Sequence, residues 1–289
     1  MFKRILLLAI LSFQVCSYAS TDFQNIAYVQ TNSYDPVIAA NFVDSQTQKP
    51  FFNTVVFFGA NINGSNINTP IIHQNTRLQE ILSSSQTIEK LHSLGMKVVI
   101  ALLGNNQAAG WATITKYSDA KNFAKEISQF VNRYNFDGIA IDNEYSTGAS
   151  NNDSMLKIVY ALRHLQSFEG KTVSKVLLKG FEANEKQEFT VKFRGTDLAT
   201  LLDSGVPGWY PGNISLLNTY LGYGMKKENL YGAVQQGFNT KSTVTQMVGK
   251  LKNNAWAGVM VFNVTPQSLD YLNAIYQVES PGKSLIQTW

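Results

Sequence analysis

Two carboxylates stand two residues apart in an otherwise apolar stretch, Phe136-Asp137-Gly138-Ile139-Ala140-Ile141-Asp142-Asn143-Glu144-Tyr145. Side chains alternate along a β-strand, so a strand here puts Ala140, Asp142 and Glu144 on one face and Ile139 and Ile141 on the other. Carboxylates are rarely buried, because the interior seldom replaces the water they lose. One reading is a capping Asp and a surface Glu at a loop entry. The other is a catalytic pair at the mouth of a parallel barrel, where that fold carries its chemistry. We take the second as the working expectation.

The chain around this stretch alternates strand and helix. Strands are expected over Asn25–Thr31, Thr54–Asn61 and Lys97–Leu103, the last two apolar on both faces as parallel strands are. Residues 75–94 show helical spacing in Leu78, Ile81, Leu82, Ile88 and Leu91, closed by Gly95 as a cap. A second helix begins at Ser118-Asp119 and carries Phe123, Ile127, Phe130 and Val131 into the fourth strand, the stretch described above. A helix over Asp153–Gln166 and a strand over Val173–Phe181 follow. The sixth strand is expected at Val206-Pro207-Gly208-Trp209-Tyr210, where proline and glycine weaken the pattern. Leu230–Gly237, a helix over Thr240–Asn254, the strand Gly258–Asn263 and a helix over Leu269–Val278 close the series. About eight strands with no linker or low-complexity break predict one α/β domain, a (β/α)₈ TIM barrel, irregular around strands five and six.

Composition agrees with a large core: 44% of the 289 residues are hydrophobic and 15% charged. Lys3 and Arg4, the apolar run Ile5–Phe13 and the small-x-small pattern Ser17-Tyr18-Ala19 read as a signal peptide over residues 1–19. Cleavage after Ala19 leaves residues 20–289 as one domain, secreted or periplasmic, and removes the single cysteine, Cys16. Val15 stands where a lipoprotein signal needs a small residue. The net charge of +4, which shrinks once Lys3 and Arg4 are removed, leaves no basic footprint for nucleic acid. No further apolar run is long enough to span a bilayer, so no membrane contact is expected after cleavage, and a monomer is expected.

The segment Asp137-Gly138-Ile139-Ala140-Ile141-Asp142-Asn143-Glu144 resembles the Asp-x-x-Asp-x-Asp-x-Glu signature of glycoside hydrolase family 18. More closely, the chain resembles the endo-β-N-acetylglucosaminidases of the endoglycosidase H and F type. Phe58-Gly59-Ala60-Asn61-Ile62-Asn63, Leu103 to Trp111, Glu144-Tyr145 and Thr240 to Val244 carry the likeness beyond the signature. The resemblance implies hydrolysis, with retention, of the β-1,4 bond after an N-acetylglucosamine in the chitobiose core of N-linked glycans. The substrate's own acetamide is the nucleophile, an exception to the two-carboxylate scheme. By resemblance Glu144 is the general acid, and Asp142 orients the acetamide and steadies the oxazolinium-like intermediate. The family's middle aspartate falls on Ala140, so Asp142 lacks the like charge that would raise its pKa. A second departure is Trp209-Tyr210-Pro211, where the group has Trp-Asn-Pro. Tyr210 is the candidate hydroxyl for the acetamide carbonyl.

Asn61, Asn105, Gln107 and Trp111 lie just past strand ends, and Asn263 ends the eighth strand. Their amides both donate and accept, which suits sugar hydroxyls, although ordinary loop amides have the same composition. Tyr145 and Trp209 are expected to stack on sugar, with Trp256 in the core and Asp137 structural. His73, His92 and His164 show no zinc spacing, and no phosphate-binding glycine loop follows a strand, so neither metal nor cofactor is expected. Two further readings stay open: a chitinase, which needs a longer cleft lined by aromatics, and a catalytically impaired glycan-binding barrel, to which Ala140 points.

Overall fold

The computed structural model describes residues 23–179 and 185–289. The expected signal peptide and the end of the strand expected over Val173–Phe181 lie outside the described residues. Eight parallel strands form the inner layer: β1 (Gln24–Gln30), β2 (Thr54–Asn63), β3 (Lys97–Gly104), β4 (Gly138–Asp142), β5 (Thr172–Leu177), β6 (Ser204–Pro207), β7 (Tyr231–Gln235) and β8 (Gly258–Phe262). They pair in the order β6-β5-β4-β3-β2-β1-β8-β7. A parallel bridge between Gly205 and Leu230 draws the outer two strands together, so the barrel is nearly closed. This is the (β/α)₈ architecture expected from the alternation of elements.

The surrounding helices are α1 (Thr76–Ser83), α2 (Gln86–Ser93), α3 (Tyr117–Arg133), α4 (Ser154–Arg163), α5 (Glu185–Thr190), α6 (Leu198–Leu201), α7 (Ile214–Gly222), α8 (Lys241–Asn253) and α9 (Leu269–Glu279). After β1 a 3₁₀ turn, Pro36–Asn41, stands in place of a helix. Phe42–Asp44 pairs antiparallel with Leu285–Gln287 beside it. Ile71–His73 pairs antiparallel with the end of β2.

Two expectations need correction. The helix expected over 75–94 is two helices: Asn75 caps α1 through Leu78 N–H (2.8 Å), but Ser84 is extended. In the run Ser83-Ser84-Ser85, the Ser83 hydroxyl donates to the Glu80 carbonyl (2.7 Å), the local competition that makes serine a weak helix-interior residue. The sixth strand begins at Ser204, two residues early, and ends at Pro207, which has no N–H to extend a ladder. Trp209 and Tyr210 therefore belong to the loop beyond β6. The irregular stretch before it holds the two short helices α5 and α6.

Strand alternation divides the core into two shells. Ile26, Tyr28, Val56, Val99, Ala101, Ala140, Val176, Val206, Ala233 and Met260 fill the barrel interior. Ile139 and Ile141 point outward into the core layer shared with the helices, which also holds Phe123, Ile127, Leu156 and Val159. The N-terminal ends of the strands are stapled by carboxylates. Asp137 Oδ2 accepts from Val98 N–H (2.7 Å) and pairs with His92 Nε2 (2.8 Å), while Asp203 Oδ2 accepts from Val173 N–H (2.7 Å) and Arg163 (2.6 Å). Asp137 and His92 are thus structural, as expected. Among the described residues no helix is long and apolar enough to cross a membrane.

Glu279, at the end of α9, accepts from Asn25 Nδ2 (2.9 Å), and burial pushes its carboxyl up to about 7 against the pull of Asn25 and Lys252. The folded chain therefore holds this proton more tightly than the unfolded chain does. Its contribution is intact below the ordinary glutamate pKa and is lost as pH rises through about 7, at a cost on the order of 3 kcal/mol. Melting curves of Glu279→Gln between pH 4.5 and 8 should show a flatter pH dependence than the parent.

Candidate active site

The site begins with β4. Register places Asn61 opposite Leu103 and Leu103 opposite Asp142, so these residues of β2, β3 and β4 form one row near the C-terminal ends of their strands. Asp142 is 1% exposed and Glu144, two residues on in the same alternation, is half-buried. The chain beyond β4 stays against β3: Gly104 N–H donates to Glu144 O (3.0 Å) and Asn106 N–H to Tyr145 O (2.6 Å). The approach is possible because residue 104 is glycine. A Cβ there would stand 2.5 Å from the Glu144 main-chain oxygen and 2.6 Å from the Tyr145 carbonyl carbon. Tyr145 takes a left-handed φ of 58° and is 55% exposed.

The electrostatics separate the two acids. Burial raises the Glu144 pKa above the usual glutamate value, opposed by a side-chain hydrogen bond with Asp142 and by the charge of Lys175. A carboxyl whose pKa is raised is suited to general-acid work. Tyr28 lies wholly buried below Asp142. Burial holds its hydroxyl protonated far above the ordinary tyrosine pKa, the Ser174 side chain lowers it, and the charge of Asp142 raises it. Tyr210 is held protonated too, by burial and then by Tyr28, Asp142 and Glu144, so its hydroxyl shares the field of both acids. Aromatic rings floor the mouth: Tyr210 stacks on Phe262 (5.5 Å, 21°) and Phe58 meets Phe262 edge-on (5.4 Å).

The other expected residues divide into two groups. Asn61 Nδ2 donates to Gly104 O (3.1 Å), and Trp209 is 45% exposed beyond β6. Asn263 takes a φ of 59°, and its buried Oδ1 has no hydrogen-bond partner among the described residues. Asn105 and Gln107 are tied into the loop scaffold: Asn105 Nδ2 donates to Asn63 Oδ1 (2.8 Å), and Gln107 Oε1 accepts from Gly64 N–H (2.8 Å). Trp111 is not at the site. It is fully buried, donates to the Leu102 carbonyl (2.8 Å) and packs on Phe123. Trp256 is core, as expected.

Sequence reasoning passed over Tyr28 and a buried network behind the acids. Lys175 is fully buried with Nζ 3.7 Å from Glu185 Oε1, an oxygen that also accepts from Leu178 N–H (2.8 Å). Tyr220 donates to Glu185 Oε2 (2.7 Å), and Asn143, between the two acids, donates to Glu188 (3.4 Å). Tyr28 carried a usable signal, since it is an inward position of an apolar strand bearing a hydroxyl. The network carried none, because its members lie far apart in the chain. Among the described residues no three His, Cys, Asp or Glu side chains cluster to hold a metal.

A (β/α)₈ barrel with a half-buried glutamate of raised pKa and a buried aspartate at its C-terminal mouth has the form of a glycoside hydrolase. Residues 15–206 match the family model "Glycosyl hydrolases family 18", and the chain belongs to that family. It is 23% identical over 256 residues to endo-β-N-acetylglucosaminidase F1 of Elizabethkingia meningoseptica, covering 85% of this chain and 72% of that one. An endo-β-N-acetylglucosaminidase of a Flavobacterium species is 32% identical over 157 residues, 52% of this chain and 49% of its own length. Among solved structures, Bacteroides thetaiotaomicron EndoBT-3987 with a Man5GlcNAc product shares the fold, with a TM-score of 0.74 and 21% identity. That match covers 92% of this chain, which spans 62% of the Bacteroides chain.

Two substitutions test the geometry. Gly104→Ala should push the Glu144 main chain aside and lower kcat by about 10- to 100-fold, with a smaller loss in Tm. Ala140→Asp sets a like charge beside Asp142, so the acid limb of the rate profile should move to higher pH. A profile superimposable on the parent's would contradict that reading of position 140.

Proposed function

We propose that this chain is an exported, monomeric endo-β-N-acetylglucosaminidase that hydrolyses the β-1,4 bond of the chitobiose core of N-linked glycans. The observation that carries the reading is the paired Asp142 and Glu144 at one strand end, with burial raising the Glu144 pKa and the Tyr210 hydroxyl in the field of both. The names of the endo-β-N-acetylglucosaminidase relatives support it.

In this reading Glu144 protonates the glycosidic oxygen as the acetamide carbonyl oxygen of the same sugar attacks C1. The C1–O bond breaks, and the leaving part departs with the remaining N-acetylglucosamine on the protein. Asp142 accepts from the acetamide N–H and offsets the positive charge of the oxazolinium ring, while Tyr210 donates to the acetamide oxygen. Glu144, now a carboxylate, takes a proton from water as that water adds to C1, and the acetamide is restored. A positioned acid accounts for about 10²–10⁴-fold in rate, and an internal nucleophile adds effective concentration. Asn61, Asn105, Gln107, Tyr145, Trp209 and Asn263 contact the glycan, with Asn105 and Gln107 doing so from their loop-holding positions.

Ala140 favours a second reading, a glycan-binding barrel of impaired activity, since it removes the lower carboxylate of the family signature. Incubating residues 20–289 with a high-mannose glycoprotein, beside Glu144→Gln, decides between them by intact mass. The expected result is loss of glycan down to one N-acetylglucosamine, slowed at least about 100-fold by the substitution. No mass change with the parent contradicts the proposed activity, and cleavage of chitin oligomers instead would assign a chitinase.

A further inference from the structure

Six large hydrophobic side chains are exposed among the described residues: Ile71, Tyr145, Trp209, Phe238, Ile286 and Trp289. The aromatic ones carried on loops, Tyr145, Trp209 and Phe238, all follow barrel strands at the end of the barrel that holds the acids. Phe238 is the most exposed at 68%, and nothing in the reading above uses it. A lone exposed apolar side chain is ordinary, but three exposed aromatic rings gathered on one rim form a set that a ligand can use.

The loop that carries it is firmly built. Phe238 and Asn239 N–H both donate to Gln235 O (3.2 and 3.0 Å), and Asn239 Oδ1 accepts from Gln235 N–H (2.9 Å). Gln236 bolts the turn to the end of β8: its N–H donates to Phe262 O (3.4 Å), its side-chain nitrogen to Thr265 Oγ1 (3.4 Å), and its side-chain oxygen accepts from Ser268. The Tyr271 hydroxyl donates to Gln235 O (3.3 Å) from α9. A rigid turn presenting a flat apolar ring is a ready surface for the apolar face of a sugar, because little ordering entropy is lost on binding.

Strand order fixes what can reach it. β7 lies between β6, whose following loop carries Trp209, and β8, which Asn263 follows with a buried Oδ1 that has no hydrogen-bond partner among the described residues. From β4 to β7 is three strand spacings, about 14 Å along the sheet, too far for the two sugars that flank the cleaved bond. Building on the glycan-cleaving reading, we infer that Phe238 is a stacking platform for the outer sugars of the bound oligosaccharide and sets the preference for extended over trimmed glycans. Its contact is the same before and in the transition state, so it acts on KM and leaves kcat alone.

Phe238→Ala and Phe238→Trp test this with a full high-mannose glycopeptide and the same glycopeptide trimmed of its outer mannoses. Phe238→Ala should raise KM for the full glycan about three- to tenfold, the size of an aromatic stacking contact. Its kcat and its KM on the trimmed substrate should match the parent's, and tryptophan should restore the loss. An unchanged KM on the full glycan, or an equal change on both substrates, overturns the inference. Calorimetric titration of the full glycopeptide into Glu144→Gln, with and without Phe238→Ala, reads the contact independently of turnover. If the parent cleaves nothing yet Kd still rises on removal of Phe238, the proposed activity falls and the platform stands; an unchanged Kd removes the platform.

Discussion

Two carboxyl groups two residues apart at one strand end, both short of water, cannot both be charged cheaply. That constraint organises the site. Asp142 is the more deeply buried and its charge acts on the Tyr28 and Tyr210 hydroxyls, whereas Glu144 sits half-buried where the strand gives way to loop. Burial raises Glu144, and the Asp142 hydrogen bond and Lys175 temper the rise. The result is one acid able to keep a proton and another able to orient a dipole, a separation of roles made by environment from two similar side chains. The aromatic floor of Tyr28, Phe58, Tyr210 and Phe262 supplies the low-polarity surroundings, and Gly104 lets the acid-bearing loop lie close enough to share them.

The barrel's two ends do different work with the same residue types. At the N-terminal end, Asp137 and Asp203 close open main-chain donors and tie strands to α2 and α4. At the C-terminal end, Asn61 and Asp142 sit on strand ends, and Glu144, Asn105 and Gln107 on loops pinned by hydrogen bonds. The buried Lys175–Glu185 pair connects α5 to this end from behind, where replacing either partner would strand a charge.

Much of this was legible in the chain alone, and unevenly so. β2, β3, β4 and β8 announce themselves because both faces are covered and their residues are apolar throughout. The inward placement of Ala140, Asp142 and Glu144 follows from a period of two and nothing else. The break between α1 and α2 did not show, since Leu78, Ile81, Ile88 and Leu91 keep one stripe across it. β6 shifted because Pro207 ends the strand at the residue where its reading nearly began. Trp111 was drawn to the site by its place after β3, yet its indole N–H bonds to Leu102 O inside the core, and only packing reveals that. Lys175, Glu185 and Tyr220 meet across separations that no local pattern encodes.

The central claim is that the substrate's acetamide, held by Asp142, does the nucleophilic work while Glu144 moves the proton. Proton NMR of the anomeric signal, taken while the first product forms, tests this most directly. The β anomer appearing first, with α following only by mutarotation, is the predicted result. The α anomer appearing first would mean direct inversion by water and would contradict the assigned roles of both acids.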